Sequence, residues 1–363
     1  MNMPENRVDN SKDKLLNRDE ISKAIELLFQ RMETLDKHCE NGFPVFSPKD
    51  SDQWLISKGG SWVGGFWAAE WWLKAQITQA ENDRNKAAAI SQRLQGRLND
   101  DSINRSMVFH YGAALGAQWF DDNEAKNLVS KSIETIIASY NAEIKAIPLG
   151  TAMGGGKEGN QIINIDSLAA VIQLLSRSEQ DEHQIILKNH VDTLLSTLGN
   201  DNGAFHAHAH FKGGSFETLG EEGDWSRGQA WAMLGLVRAA ERWGEPYLSL
   251  AIKACEYWLR SRPNAFPANK LTKPEALCDV SATVIASLAM LSLAELAPHG
   301  ESWRNDAHQQ ISAIIHSAYF NDETGIFWGC CYKTRTEEEL VESTWGSFLL
   351  MSALCLFSDD IKV

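Results

Sequence analysis

No segment of this 363-residue chain approaches the roughly 20 consecutive apolar residues that a bilayer span needs. Lys and Arg are scattered without a basic run, and the formal net charge is -14. Together these exclude nucleic acid and an anionic membrane surface as partners, and an anionic ligand would need a local positive group. The six cysteines, at 39, 255, 278, 330, 331 and 355, show no CxxC spacing, and adjacent Cys330 and Cys331 make an awkward disulfide. Met1 to Arg18 is polar and lacks the apolar core of a signal peptide, so the expectation is a flexible segment over 1–18 and a reducing cytoplasm. GxGxxG between a strand and a helix, GxxxxGK[ST] and GxSxG are absent too, which removes the common nucleotide cradles and the serine-hydrolase elbow. Gly154-Gly155-Gly156-Lys157 then reads as a flexible rim loop.

What is present is apolar sequence and repetition. Hydrophobic residues make up 44% and charged residues 23%, a water-soluble balance with enough apolar sequence for a sizeable core. Six segments start with a polar or aromatic cluster and run into a stretch rich in small and apolar residues. They begin near Ser61, Arg105, Asn164, Trp225, Asp279 and Ser343, a loose repeat of about 50 residues. Each is apolar on more than one side and reads as a buried helix. Between them lie more charged, amphipathic segments at about 19–38, 82–98, 122–143, 180–198, 247–262 and 302–318. Six buried helices alternating with six half-wet ones predict an all-α, single-domain (α/α)6 barrel of six helical hairpins over 19–363. In such a barrel the buried helices start at one end, and the loops before them build a pocket.

Asp224-Trp225-Ser226-Arg227-Gly228-Gln229-Ala230-Trp231 stands at one of these starts. Arg keeps its charge and offers a planar fork to a carboxylate, while indoles offer flat faces to a sugar ring. The octapeptide therefore suits an acidic carbohydrate-like ligand. It also suits a helix capped by Asp224, with core tryptophans and Arg227 in a structural ion pair. Trp62, Asp166, Asp279 and Trp345 fall at equivalent places. Asp166 sits between apolar runs, where desolvation raises a carboxyl's pKa toward general-acid use, although the helix N-terminus favours the anion. His206, His208 and His210 alternate as on one face of a short strand, which fits a rim hairpin or a metal site. No metal signature completes that pattern nearby, and the expectation is neither metal nor cofactor.

At this point the residues resemble the unsaturated glucuronyl hydrolases of glycoside hydrolase family 88 and the related unsaturated rhamnogalacturonyl hydrolases of family 105. The likeness rests on Trp62-Val63-Gly64-Gly65-Phe66-Trp67, Ile163-Asn164-Ile165-Asp166, Gly203-Ala204-Phe205-His206, Trp225 through Trp231, and Asp279-Val280-Ser281-Ala282. It implies an (α/α)6 barrel that removes a 4,5-unsaturated uronic acid from the non-reducing end of lyase-generated oligosaccharides by hydrating a vinyl ether. It further implies Asp166 as the group that protonates C4 and helps water add at C5. His206, Trp225, Arg227 and Trp231 would line the sugar subsite, with Trp62 across from them. An acidic oligosaccharide is the implied partner, for a monomer or homodimer.

Two stretches depart from the family. Its second aspartate, in a His-Asp-x-Gly-Phe element, is missing from Arg105-Ser106-Met107-Val108-Phe109-His110-Tyr111-Gly112, which leaves His110 in its neighbourhood or Arg105 there to bind the uronate carboxylate. Its Trp-Asp pair is replaced by Phe266-Pro267-Ala268-Asn269. Rival readings are an epimerase or inverting glycosidase on the same toroid, a silent carbohydrate-binding relative, and a hydrolase using the three histidines and a metal.

Overall fold

The computed structural model describes residues 14–333 and 337–358. Of the segment expected to be flexible over 1–18, residues 1–13 lie outside the described residues. Leu16 is buried and its N–H donates to Ser312 Oγ at 2.9 Å.

Helices dominate. In chain order they are α1 (Arg18–Cys39), α2 (Gly64–Thr78), α3 (Glu81–Arg93), α4 (Arg105–Phe109), α5 (Leu115–Phe120) and α6 (Asn123–Ile137), a π turn at His110–Ala114 joining α4 to α5. Then follow α7 (Leu168–Leu175), α8 (Asp181–Leu198), α9 (Ser226–Trp243), α10 (Tyr247–Ser261), α11 (Val280–Ala294), α12 (Gly300–Ile315) and α13 (Thr344–Ser358). The six segments expected to be half-wet are α1, α3, α6, α8, α10 and α12, each buried along one side. Those expected to be buried are α2, the run from α4 to α5, α7, α9, α11 and α13. Each buried segment packs on the next in sequence, and α13 packs back on α2, so the contacts close a circuit. No helix among the described residues is long and apolar enough to cross a membrane.

Local chemistry is plain at the start of α1 and at the π turn. Asn17 and Glu20 form a reciprocal capping box that starts α1. In the second buried segment the π turn takes the Gly112 carbonyl out of the regular ladder, and Trp72 Nε1 on α2 donates to it at 3.0 Å.

The all-α expectation needs one correction, because two small antiparallel sheets accompany the helices. Strands β1 (Phe43–Pro48), β2 (Leu55–Ser57), β3 (Ile162–Asn164), β4 (His208–Lys212), β5 (Ser215–Leu219), β6 (Cys330–Lys333) and β7 (Glu338–Ser343) pair in the orders β2-β1-β7-β6 and β3-β4-β5. They occur where the loops before buried helices are long and partly buried, so the backbone groups there must find partners. β7 runs directly into α13, β3 ends two residues before Asp166, and the β4–β5 hairpin precedes α9. The sheets thus hold the segments that start the buried helices.

The α2–α4 crossing depends on the absence of a side chain. A Cβ on Gly65 would sit 2.5 Å from the Val108 carbonyl oxygen and 2.7 Å from Val108 Cα, both backbone atoms. Gly65→Ala is therefore expected to lower stability by about 1–3 kcal/mol in urea unfolding. Gly96→Ala, with nothing within 4 Å, serves as the neutral control; equal stability of the two variants would contradict the packing account.

Candidate active site

A cleft of about 340 Å³ opens where the loop before α9, the β4–β5 hairpin and the β6–β7 hairpin meet, with Trp225, Arg227, Asn269, Lys270, His208 and Tyr332 among its lining. Residues 224–229 of the octapeptide build one wall, each through a different contact. Trp225 Nε1 donates to Asn269 Oδ1 at 3.0 Å, and Ser226 Oγ donates to the Ala268 carbonyl at 2.7 Å. Gly228 leaves room for the Trp225 ring, since a Cβ there would lie 2.6 Å from Trp225 Cε3. Gln229 bridges to the loop before β4, accepting from Phe205 N and donating to the Gly203 carbonyl, both at 2.9 Å. Asp224 does not cap α9: its Oδ1 accepts from Thr272 N at 2.7 Å instead.

Arg227 is the charge in this wall. Its guanidinium carbon lies 5.1 Å from the centre of the Trp225 ring, and Nη1 donates to both the Asp279 carboxylate and the Cys331 carbonyl. Nε and Nη2 take no protein partner among the described residues. Asp279 is fully buried at the start of α11 and also accepts from Ser281 Oγ at 2.6 Å. Burial pushes the Asp279 carboxyl up, against the pull of Arg227 and Ser281.

Asp166 lies in the turn before α7, partly exposed as a residue, but its Oδ1 is shut off from solvent and without a protein hydrogen bond. Burial pushes its carboxyl up to about 6, and Arg227 is the charge that opposes the rise. Such a group holds a proton at mildly acid pH and can both give and take one.

The other expected residues are spread more widely. Trp62 packs against Trp345 with ring centres 5.1 Å apart, and Trp345 in turn meets the cleft residue Tyr332 at 5.2 Å. His206 precedes β4 rather than lying in it, and Nδ1 donates to the Gly220 carbonyl at 3.1 Å, so it braces the rim while His208 lines the cleft. Trp231 is 3% exposed and belongs to the core. His110 is buried in the π turn with no partner at Nδ1, and burial pushes its imidazole down to about 3. The suggestion that Arg105 reads a carboxylate needs correction. It is buried and bonded to the carbonyls of Ser102, Leu98 and Thr135 and to Ser139 Oγ, so its fork is fully engaged by the protein. Among the described residues no three His, Cys, Asp or Glu side chains gather as metal ligands would, and Cys39, Cys255, Cys278, Cys330 and Cys331 are free thiols. Tyr332 lines the cleft without having stood out in the sequence, and Asn269, noted there only as part of the stretch in place of the family's Trp-Asp pair, lines it too.

Known proteins resemble this chain in sequence and fold. The unsaturated chondroitin disaccharide hydrolase of Streptococcus pneumoniae is 23% identical, with 95% of this chain and 94% of that protein covered. The unsaturated glucuronyl hydrolase of a Bacillus species is 22% identical over 76% of this chain and 79% of its own. Its solved structure, described as responsible for the degradation of glycosaminoglycan, superposes with a TM-score of 0.82 at 19% identity, covering 92% and 96% of the two chains. An unsaturated glucuronyl hydrolase specific for heparin superposes with a TM-score of 0.80 at 14% identity, covering 94% and 96%. The chain is similar to the unsaturated glucuronyl hydrolases in sequence and in fold. No protein-family model matches it.

Because Arg105 serves four backbone and hydroxyl acceptors, Arg105→Met is expected to cost about 2 kcal/mol or more of stability, measured by thermal unfolding. Ligand affinity of the folded fraction stays within about twofold, which a titration on intact protein checks.

Proposed function

We propose that this protein is a glycoside hydrolase that removes a 4,5-unsaturated uronic acid from the non-reducing end of lyase-generated oligosaccharides, on an (α/α)6 barrel formed by residues 19–363. The closed circuit of buried helices supports the barrel. The observation that carries the activity is Asp166: a carboxyl with one unpartnered, solvent-excluded oxygen, raised to about 6 and standing in the field of a cleft-wall arginine. The relatives' names, which speak of unsaturated glucuronyl and chondroitin disaccharide substrates, point the same way.

In this reading Trp225 and Tyr332 offer faces to the sugar, and the free N–H groups of Arg227 meet its carboxylate. Protonated Asp166 gives its proton to C4 while the C4=C5 π bond opens, and water adds at C5 and returns a proton to the Asp166 carboxylate. The hemiketal formed at C5 opens to a ketone, which frees C1 as a hemiacetal that expels the remaining saccharide as an alcohol. His110, neutral at any working pH because of its burial, cannot supply the charge of the aspartate missing from the second buried helix. Asp166 therefore serves as both acid and base. The free thiols of Cys39, Cys255, Cys278, Cys330 and Cys331 support a cytoplasmic setting.

The direct test mixes the protein with unsaturated disaccharides prepared by lyases from glycosaminoglycans, gellan, ulvan and pectin, and follows the ultraviolet absorbance of the conjugated uronate. The expected outcome is loss of that absorbance with release of the saccharide. If none of these substrates is consumed, the reading fails. Asp166→Asn should lower kcat by roughly a hundredfold or more, the usual contribution of a positioned acid–base group.

The pH profile carries a sign as well. Asp166 must hold its proton to act first, so kcat/KM should be highest below about 6 and fall as pH rises through that value. A profile that instead rises through pH 6 would mean that the carboxylate form starts the reaction.

A further inference from the structure

Arg227 poses a problem that the reaction scheme leaves open. An unpaired guanidinium beside Asp166 would hold that carboxyl in its ionised form, which is the wrong form to start the proposed hydration. Substrate carboxylate would also compete with Asp166 for the same donors. The pairing in the cleft wall answers both points: Nη1 is turned away to fully buried Asp279 and the Cys331 carbonyl, while Nε and Nη2 keep no protein partner among the described residues. Asp279 is itself held by Ser281 Oγ at 2.6 Å.

We propose that Asp279 is a positioning residue of the site, which fixes the Arg227 guanidinium so that its remaining N–H groups face the substrate carboxylate and offsets its charge so that Asp166 keeps its proton. The proposal rests on the hydrolase reading for the part played by Asp166. The groups that bear on this circuit come from several elements. Asp166 faces Arg227 from the turn before α7, Asp279 faces it from the start of α11, and the Cys330 and Cys331 thiols face it from β6. Both thiols are pushed up to about 12 by burial and are neutral. His110, on the π turn packed against α7, is neutral as well. On the cleft side stand Glu221, Asp224, Lys270, Lys333 and Glu338. With the thiols and His110 neutral, Asp279 is the anion bonded directly to Arg227.

The test reads Asp166 without requiring turnover. The carboxyl carbon of Asp166 is titrated by NMR in the wild-type chain, in Asp279→Asn and in the milder Ser281→Ala, and KM for an unsaturated disaccharide is measured alongside. In Asp279→Asn the released guanidinium should lower the Asp166 midpoint by about one unit, with KM raised roughly tenfold. Ser281→Ala should shift both in the same direction by less, and Asp279→Glu should recover most of the wild-type KM. An Asp166 midpoint unchanged in every folded variant would overturn the proposal, and Ser281→Ala keeps the titration decisive if Asp279→Asn does not fold. If the wild type consumes no unsaturated substrate, the hydrolase reading falls, and the titration still decides whether Asp279 governs the Asp166 proton.

Discussion

A single positive charge set among the starts of buried helices organises this molecule's cleft. Arg227 rises from the first turn of α9 into surroundings where a bare guanidinium would be expensive, and three things make it tenable: the Asp279 carboxylate, the Cys331 carbonyl and the face of Trp225. Those contacts come from α11, β6 and the loop before α9. Satisfying one charge therefore pins three otherwise separate segments to one another, and the cleft is the space left beside the pinned group. Burial raises the Asp166 carboxyl, and the same charge opposes that rise.

The remaining parts of the wall follow the same logic of mutual satisfaction. Gln229 uses both ends of its amide to hold the loop before β4. His206 then braces Gly220 on the hairpin rim, and buried Arg262 ties Ser226 Oγ at 3.0 Å and the Gly223 carbonyl at 2.6 Å. Few residues of the octapeptide are left to touch a ligand. Most of its distinctiveness as a motif serves to build the wall, with Asp224, Trp225 and Arg227 lining the cleft. A motif can thus be distinctive while only part of it lines the cleft.

The sequence pattern was most legible in the helices, because burial on one side or all round writes itself into periodicity. The amphipathic segments near 82–98 and 180–198 correspond to α3 and α8, and the apolar run after Asp279 to α11. It was least legible in the sheets, since β2, β3 and β6 are three or four residues long and β1 is buried along most of its length, with no clean alternation to read. Among the candidate site residues, Trp225, Arg227 and Asp166 stood out by type and place. Asn269 stood there only as part of a departure from the family, since an asparagine in a loop has no role to read until the indole it holds is seen beside it. Arg105 misled for the converse reason: a lone arginine at a helix start looks free until its four acceptors are counted.

Residue order alone was enough for the alternation of buried and half-wet helices, the lack of a membrane-spanning helix and the resemblance to unsaturated glucuronyl hydrolases. All of these depend on local composition and spacing. Which carboxylate meets Arg227, which histidine faces the cleft and which tryptophan merely fills the core depend on groups distant in the chain: Arg227 and Asp279 are 52 residues apart, and Arg227 and Cys331 are 104 apart. A charge can be recognised from its own residue, but its partner exists only once the helices have packed, and that partner decides what the charge is free to bind.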